Sequence, residues 1–169
     1  MPHPLSTLGI AHTAISLVPL LAGLAQFVRH GRIDPATSSG RVYLVGLVAS
    51  VLTSFGLSST GGFNPGHALG ILALLAVGGA LLATRLTRLG RVGDYLATFG
   101  LSFSFFLLLV PGTNETLSRL PPSQPIANGP QSPIVQGTLA VLFVLFLAGY
   151  ARQALALRAR GARRRDSGL

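Results

Sequence analysis

Apolar residues dominate five stretches of the chain, which are separated by short segments rich in polar residues, proline or glycine. The stretches cover about residues 5–28, 41–58, 66–84, 94–111 and 133–153. A helix needs roughly 20 mostly apolar residues to cross the hydrocarbon core of a bilayer, and each stretch approaches or exceeds that length. The pattern predicts an all-α membrane helix bundle with five transmembrane helices over residues 1–157, followed by a basic tail at 158–169.

Polar and small residues inside the spans recur at helical spacing. The first span carries such a stripe at His12, Ser16, Pro19, Gly23 and Gln26, the second at Tyr43, Gly46, Ser50 and Thr53, and the fourth at Gly93, Ala97, Gly100 and Ser104. Lipid cannot satisfy polar groups, so these stripes are expected to face the interior of the bundle. The small residues among them predict close contacts between helices.

Composition and charge give the predicted bundle an orientation. The chain is 49 % hydrophobic and 10 % charged, and all thirteen basic residues are arginine. With the spans numbered alternately, twelve arginines fall on one face and Arg119 alone on the other, which predicts an outer N-terminus and a cytoplasmic C-terminus. The net charge of +9 therefore indicates contact with anionic headgroups rather than with nucleic acid. The absence of lysine, with abundant Ala, Leu and Gly, is typical of a GC-rich bacterial genome and predicts the bacterial inner membrane.

Three ionisable residues are expected at the outer leaflet. His12 lies roughly 10 Å into the first span, and His67 lies in the first turn of the third, where Asn64 and Pro65 fit the N-cap and first helical position. Glu115 follows the fourth span, in a proline-rich segment from Pro111 to Pro133 that is expected to be extended and to cover the outer mouth of the bundle. The chain has no cysteine, so any metal or haem ligand must be another group.

Three chemistries could use such a site. His12 and His67 could ligate the iron of one haem b, and with Glu115 they could hold a divalent metal ion. The same groups could instead hydrogen-bond a quinone headgroup or relay protons. The favoured hypothesis is a small ligand-binding, redox-associated membrane protein.

Structural roles are the alternatives for the same residues. His67 could simply cap its helix, His12 could bond a Ser or Thr on a neighbouring span, and Glu115 could pair with Arg119. Asp94 could cap the fourth span, pair with Arg91 or belong to a proton path. These readings correspond to two other classes of protein: a non-catalytic accessory subunit that binds a membrane partner or a second copy, and a small proton-coupled transporter.

The segment from the first span into the second resembles an uncharacterised family of small bacterial multi-pass membrane proteins. The likeness rests on a first-span histidine, a Gly-x-x-Gln-Phe run and a Gly-Arg-x-Tyr run, here His12, Gly23, Gln26, Phe27, Gly40, Arg41 and Tyr43. It covers about a quarter of the chain. Family histidines before the Gly-Arg pair and in a later span have no counterpart here. The resemblance implies a fold and no particular activity.

Overall fold

A computed structural model describes residues 6–57 and 62–166, which form five α-helices and one 3₁₀ turn. The helices are α1 (Thr7–His30), α2 (Ser38–Ser54), α3 (Pro65–Arg85), α4 (Gly90–Arg119) and α5 (Pro133–Asp166), and the turn is Thr87–Leu89. No β-strand occurs in this part of the chain. The first residue of the predicted first span, Leu5, and the last of the second, Ser58, lie outside the described residues, as do 167–169 of the tail.

Four of these helices, α1, α3, α4 and α5, are long and apolar enough to cross a membrane. The chain is therefore a membrane protein by length and composition. The remaining helix, α2, has 17 residues, or about 25 Å at 1.5 Å per residue. That length is at the lower limit for a span.

The helices pack mainly as two sequence-adjacent pairs, α1 with α2 and α3 with α4. Glycines in α4 allow the backbones of α3 and α4 to approach each other closely. A Cβ atom on Gly100 would stand 2.6 Å from the carbonyl oxygen of Ala76, and one on Gly93 would stand 2.7 Å from that of Ala83. Both distances are shorter than any Cβ contact tolerates, so these positions in α4 require glycine against the backbone of α3. The predicted small-residue stripe of the fourth span is thus a helix contact.

Tyr43 of α2 lies at the centre of the core and is fully buried. Its hydroxyl is 2.7 Å from that of Ser104 on α4, and the Ser104 hydroxyl donates to the carbonyl of Leu101. Because the single Ser104 hydrogen is used in this way, the Tyr43 hydroxyl is the donor between the two. This hydrogen bond ties one helix pair to the other.

The last helix, α5, packs chiefly on α4. Their contact is a ladder of aromatic rings at three- and four-residue spacing, with centroid distances from 5.2 to 5.8 Å across the two helices. The rings belong to Phe99, Phe103 and Phe106 of α4 and to Phe143, Phe146 and Tyr150 of α5. Ring contacts of this kind stabilise beyond their buried area.

The segment after the fourth apolar stretch differs from the prediction. Residues 111–119 are helical, because Pro111 removes only one backbone donor and α4 continues to Arg119. The helix ends at Leu120, which is extended (φ −118°, ψ 141°) before Pro121, as a residue preceding proline prefers. The remaining loop folds back onto α4, where the Ala127 N–H donates to the Leu117 carbonyl at 2.9 Å. Glu115 therefore lies on a helix and not in an extended loop.

The predicted basic tail also begins differently. Helix α5 continues without a break from the apolar stretch to Asp166, so residues 158–166 extend the helix. Most of these residues are alanine or arginine, and both favour helix. At 1.5 Å per residue the 34 residues of α5 measure about 50 Å, which exceeds the hydrocarbon thickness by about 20 Å.

Candidate functional site

His12 lies on the face of α1 that packs against α2. Its Nδ1 atom is 2.8 Å from the Thr53 hydroxyl oxygen, and that hydroxyl itself donates to the Ala49 carbonyl at 2.9 Å. Thr53 must therefore accept from His12, which places a proton on Nδ1. In the neutral ring the lone pair is then on Nε2, 3.4 Å from the Ser16 hydroxyl, at the outer limit of hydrogen bonding. Ser16 and Ser50 form a second link between the helices, 2.6 Å long.

His67 closes the junction between α2 and α3. The Asn64 side chain accepts from the His67 backbone N–H at 3.1 Å, and His67 Nδ1 accepts from the Asn64 backbone N–H at 3.3 Å. This reciprocal pair is a capping box in which histidine replaces the usual Glu or Gln. With Nδ1 accepting, Nε2 carries the hydrogen and donates to the Ser54 carbonyl at 3.0 Å. Phe55 and Phe63 pack on the ring, which is 4 % exposed.

The ring geometry bears on the predicted metal and haem chemistry. A metal ion or haem iron binds the unprotonated nitrogen of a neutral imidazole. In His67 that nitrogen is engaged by the backbone of Asn64, so ligation would break the cap of α3. Among the side chains described in residues 6–57 and 62–162 there is no group of three or more His, Asp or Glu placed to hold a metal ion. The structure thus lends no support to a haem, metal or quinone site built from His12, His67 and Glu115.

Glu115 pairs with Arg119 one helical turn further along α4. Both side chains are exposed, at 56 % and 40 %, and an exposed pair of this kind contributes little to stability. No hydrogen bond joins Glu115 to His12 in the described part of the chain, and the convergence of His12, His67 and Glu115 stays a prediction.

Asp94 is exposed near the start of α4. Neither ion pair found in the described part of the chain includes it, and α4 begins at Gly90 with no side-chain cap on its first turn. The Arg91 guanidinium, the pairing partner considered for Asp94, instead lies against Gly161 of α5. Asp94 is available to solvent or headgroups at the end of the bundle opposite His12.

Gln26 organises the turn between α1 and α2 and is fully buried. Its side-chain carbonyl accepts from the Asp34 backbone N–H at 2.9 Å, and its amide donates to the hydroxyls of Thr37 (2.9 Å) and Ser39. Thr37 in turn caps α2 through the Gly40 N–H at 3.0 Å. One polar side chain inside α1 therefore fixes the whole loop that follows it.

Most residues that carry the family resemblance are packing or hydrogen-bonding residues in this structure. A Cβ atom on Gly23 would stand 2.5 Å from the ring of Phe105 and 3.1 Å from that of Tyr43. The rings of Phe27 and Phe105 meet edge to face at 5.2 Å. Gly23 and Phe27 thus pack the α1–α2 pair against α4, while Gln26 fixes the turn between α1 and α2, and both tasks are structural.

Sequence reasoning missed Gln153, the residue that attaches α5 to the rest of the bundle. Its side-chain oxygen accepts from the buried Ser102 hydroxyl of α4 at 2.8 Å. Its amide nitrogen donates to the carbonyl of Gly31, the left-handed C-cap of α1 (φ 69°), at 2.9 Å. A glutamine near the arginine-rich end of a long apolar helix is the signal that could have found it, since buried polar groups in membranes have partners.

Comparison with protein-family models finds no match, and comparisons with curated proteins and with solved structures find none either. The resemblance based on His12, Gly23, Gln26 and Tyr43 stays a prediction.

Proposed function

We propose that the chain is a five-span protein of the bacterial inner membrane that serves as a non-catalytic accessory subunit. Its N-terminus lies outside and its arginine-rich face contacts anionic headgroups in the cytoplasmic leaflet. That α2 is also a span is supported by its alignment with α1. Contacts run from His12–Thr53 at one end to Gln26–Ser39 at the other, and His12 and Gln26 are about 21 Å apart along α1.

The observation that carries the proposal is how the polar groups are used. In the described part of the chain every fully buried side-chain nitrogen or oxygen has a hydrogen-bond partner within the protein. Both candidate histidines bond neighbouring helices or loop backbone. A catalytic or ligand site usually holds polar groups in reserve for its substrate. Around His12 and His67 the polar groups instead stabilise the bundle.

The exposed face of α5 supports the assignment as a subunit. Only 6 % of its most apolar 18-residue window is buried, against 39 % for the segment containing α4. Exposed small or apolar residues on this face follow alternating steps of four and three, the spacing of a helix seam that packs against another helix. They are Gly137, Val141, Val144, Ala148, Ala151 and Leu155, and we call them the α5 seam. Small residues in such a seam let two membrane helices approach closely.

Cysteine crosslinking in native membranes tests the proposal. The chain has no cysteine of its own, so Val144→Cys places a single thiol in the α5 seam, where Val144 is 62 % exposed. We expect either an oxidative homodimer or a single adduct of defined mass with a photo-crosslinker attached at this position.

The matched control is Val45→Cys on α2, a valine exposed to a similar degree (69 %). It should give no specific adduct, because Val45 lies outside the α5 seam. Equal labelling at both positions, or no adduct at either, would show that α5 faces only lipid and would refute the subunit assignment.

A ligand-binding role at the outer end is the second candidate. It is favoured by the Nε2 lone pair of His12, which has only a long contact to Ser16 (3.4 Å). A hydrogen-bonded ligand such as a quinone would use this nitrogen without disturbing the His67 cap.

A further inference from the structure

A cavity of about 180 Å³ opens between the C-terminal end of α1, the first half of α4 and the arginine-rich part of α5. It lies at the end of the bundle opposite His12, next to the hydrogen bonds that Gln153 forms with Ser102 and Gly31. We call these two hydrogen bonds the Gln153 clamp. Charged and hydroxyl side chains line much of it, namely His30, Arg32, Thr98, Arg152 and Arg160.

The lining carries an excess of positive charge. Arg32 has a carboxylate 3.4 Å away on Asp34, but Arg152 and Arg160 form no ion pair with any described residue. The Arg152 guanidinium lies over the end of α1, with Nη2 3.7 Å from where a Cβ on Gly31 would stand. Guanidinium groups gathered around a cavity without their own carboxylates favour binding of an external anion.

Thr98 adds a neutral donor inside the cavity. Its residue is 5 % exposed, and its hydroxyl has no hydrogen bond to the described residues. The other small hydroxyl nearby, Ser102, is already committed to Gln153. A phosphate oxygen could accept from Thr98 while other oxygens of the same group accept from the guanidinium groups.

Size and position identify the class of anion. A cavity of about 180 Å³ has room for several waters, which is enough for a phosphate group. Ala156 and Leu157 give the lining an apolar part. Basic pockets between transmembrane helices on the cytoplasmic side are typical sites for anionic lipid headgroups.

We propose that this cavity binds the phosphate group of one anionic phospholipid through Arg152, Arg160 and the Thr98 hydroxyl. The assignment to lipid, rather than to free phosphate, rests on the orientation given under the proposed function. The bound lipid would join the ends of α1 and α5 at the place where Gln153 already links them.

Native mass spectrometry of the delipidated full chain in nonionic detergent, titrated with phosphatidylglycerol, tests the site. The variant carrying both Arg152→Gln and Arg160→Gln should bind the first lipid about 25-fold more weakly, since each arginine near a lipid surface contributes about fivefold. Thr98→Val should weaken the same step severalfold without any change in charge. A melting curve of each variant confirms that it is folded.

The matched control removes the same charge from the same face outside the cavity, with Arg85→Gln and Arg88→Gln, both exposed. It should change the binding of the first lipid by less than twofold. Equal weakening in the two double variants would mean diffuse attraction to the surface and would overturn the site. Displacement of the lipid by millimolar inorganic phosphate would overturn the lipid assignment. These measurements use isolated protein, so they are independent of the crosslinking result in membranes.

Discussion

The side-chain nitrogen of Gln153 lies 2.9 Å from the carbonyl oxygen of Gly31, a residue 122 positions earlier in the chain. Through this bond the last helix is fastened to the end of the first. The same amide accepts from Ser102, so one side chain connects α1, α4 and α5. The same three helices surround the arginine-lined cavity. The hydrogen bonds of Gln153 therefore help to determine the shape of that cavity.

Gln153→Leu should destabilise the protein by about 1–3 kcal/mol, because it leaves the Ser102 hydroxyl and the Gly31 carbonyl without their partner. Unfolding of each variant across a series of detergent mixtures measures the change in the free energy of unfolding. Gln136→Leu on the same helix is the control, since Gln136 is exposed and bonds only the exposed Gln131 among described side chains; it should stay within about 0.5 kcal/mol of the parent. A loss no larger than the control's would mean that α5 does not depend on the clamp.

Two glycine-to-alanine changes should have opposite signs. At Gly100 a Cβ meets the Ala76 backbone at 2.6 Å, so Gly100→Ala must push α3 and α4 apart and should cost about 1–3 kcal/mol. At Gly79 of α3 a Cβ has no atom within 4 Å, so Gly79→Ala should be neutral or stabilise by up to about 1 kcal/mol through helix propensity. Thermal melting in detergent compares the two. Stabilisation by Gly100→Ala would contradict the close contact described here.

His67→Ala should destabilise the α2–α3 junction by about 1–2 kcal/mol through loss of the cap and of the bond to the Ser54 carbonyl. His30→Ala is the control, because His30 is exposed at the end of α1 and should change stability by less than about 0.5 kcal/mol. Hydrogen exchange of the amides in the first turn of α3 provides the local measurement. Unchanged protection there would show that the imidazole is not the cap.

Added haem b or Zn²⁺ should leave the melting temperature of the purified protein unchanged, since the Nδ1 lone pair of His67 already accepts from Asn64. An absorption spectrum and metal analysis of the protein as isolated complete the measurement. A Soret band that disappears in His12→Ala and in His67→Ala would restore the bis-histidine hypothesis. Quenching of the intrinsic tyrosine fluorescence by an added quinone, if it is lost only in His12→Ala, would favour the second candidate function.

Periodicity predicted much of this architecture correctly. The polar stripes of the first two spans do face one another, as the contact of Ser16 with Ser50 shows, and Asn64 and Pro65 do begin α3. These features depend on spacing along a single helix and on local capping chemistry, both of which a sequence contains.

Helix ends and side-chain partners were harder to predict. Hydropathy detects only the apolar part of a helix. The predicted helices therefore ended before Glu115 in α4 and before Arg158 in α5, although both helices continue past these residues. The choice between ligand and structural role for His12 and His67 depended on which atoms face each ring nitrogen. That information comes from packing between helices, as does the partnership of Gln153 with Gly31.

The arrangement of contacts has a consequence for biosynthesis. Helices α1 and α2, and then α3 and α4, pack with their neighbour in sequence, so each hairpin can form as soon as its second helix leaves the translocon. Helix α5 emerges last and adds its aromatic ladder to an α4 surface that is already complete. Contacts between helices adjacent in sequence therefore favour assembly in the order of translation, with the hydrogen bonds of Gln153 forming last.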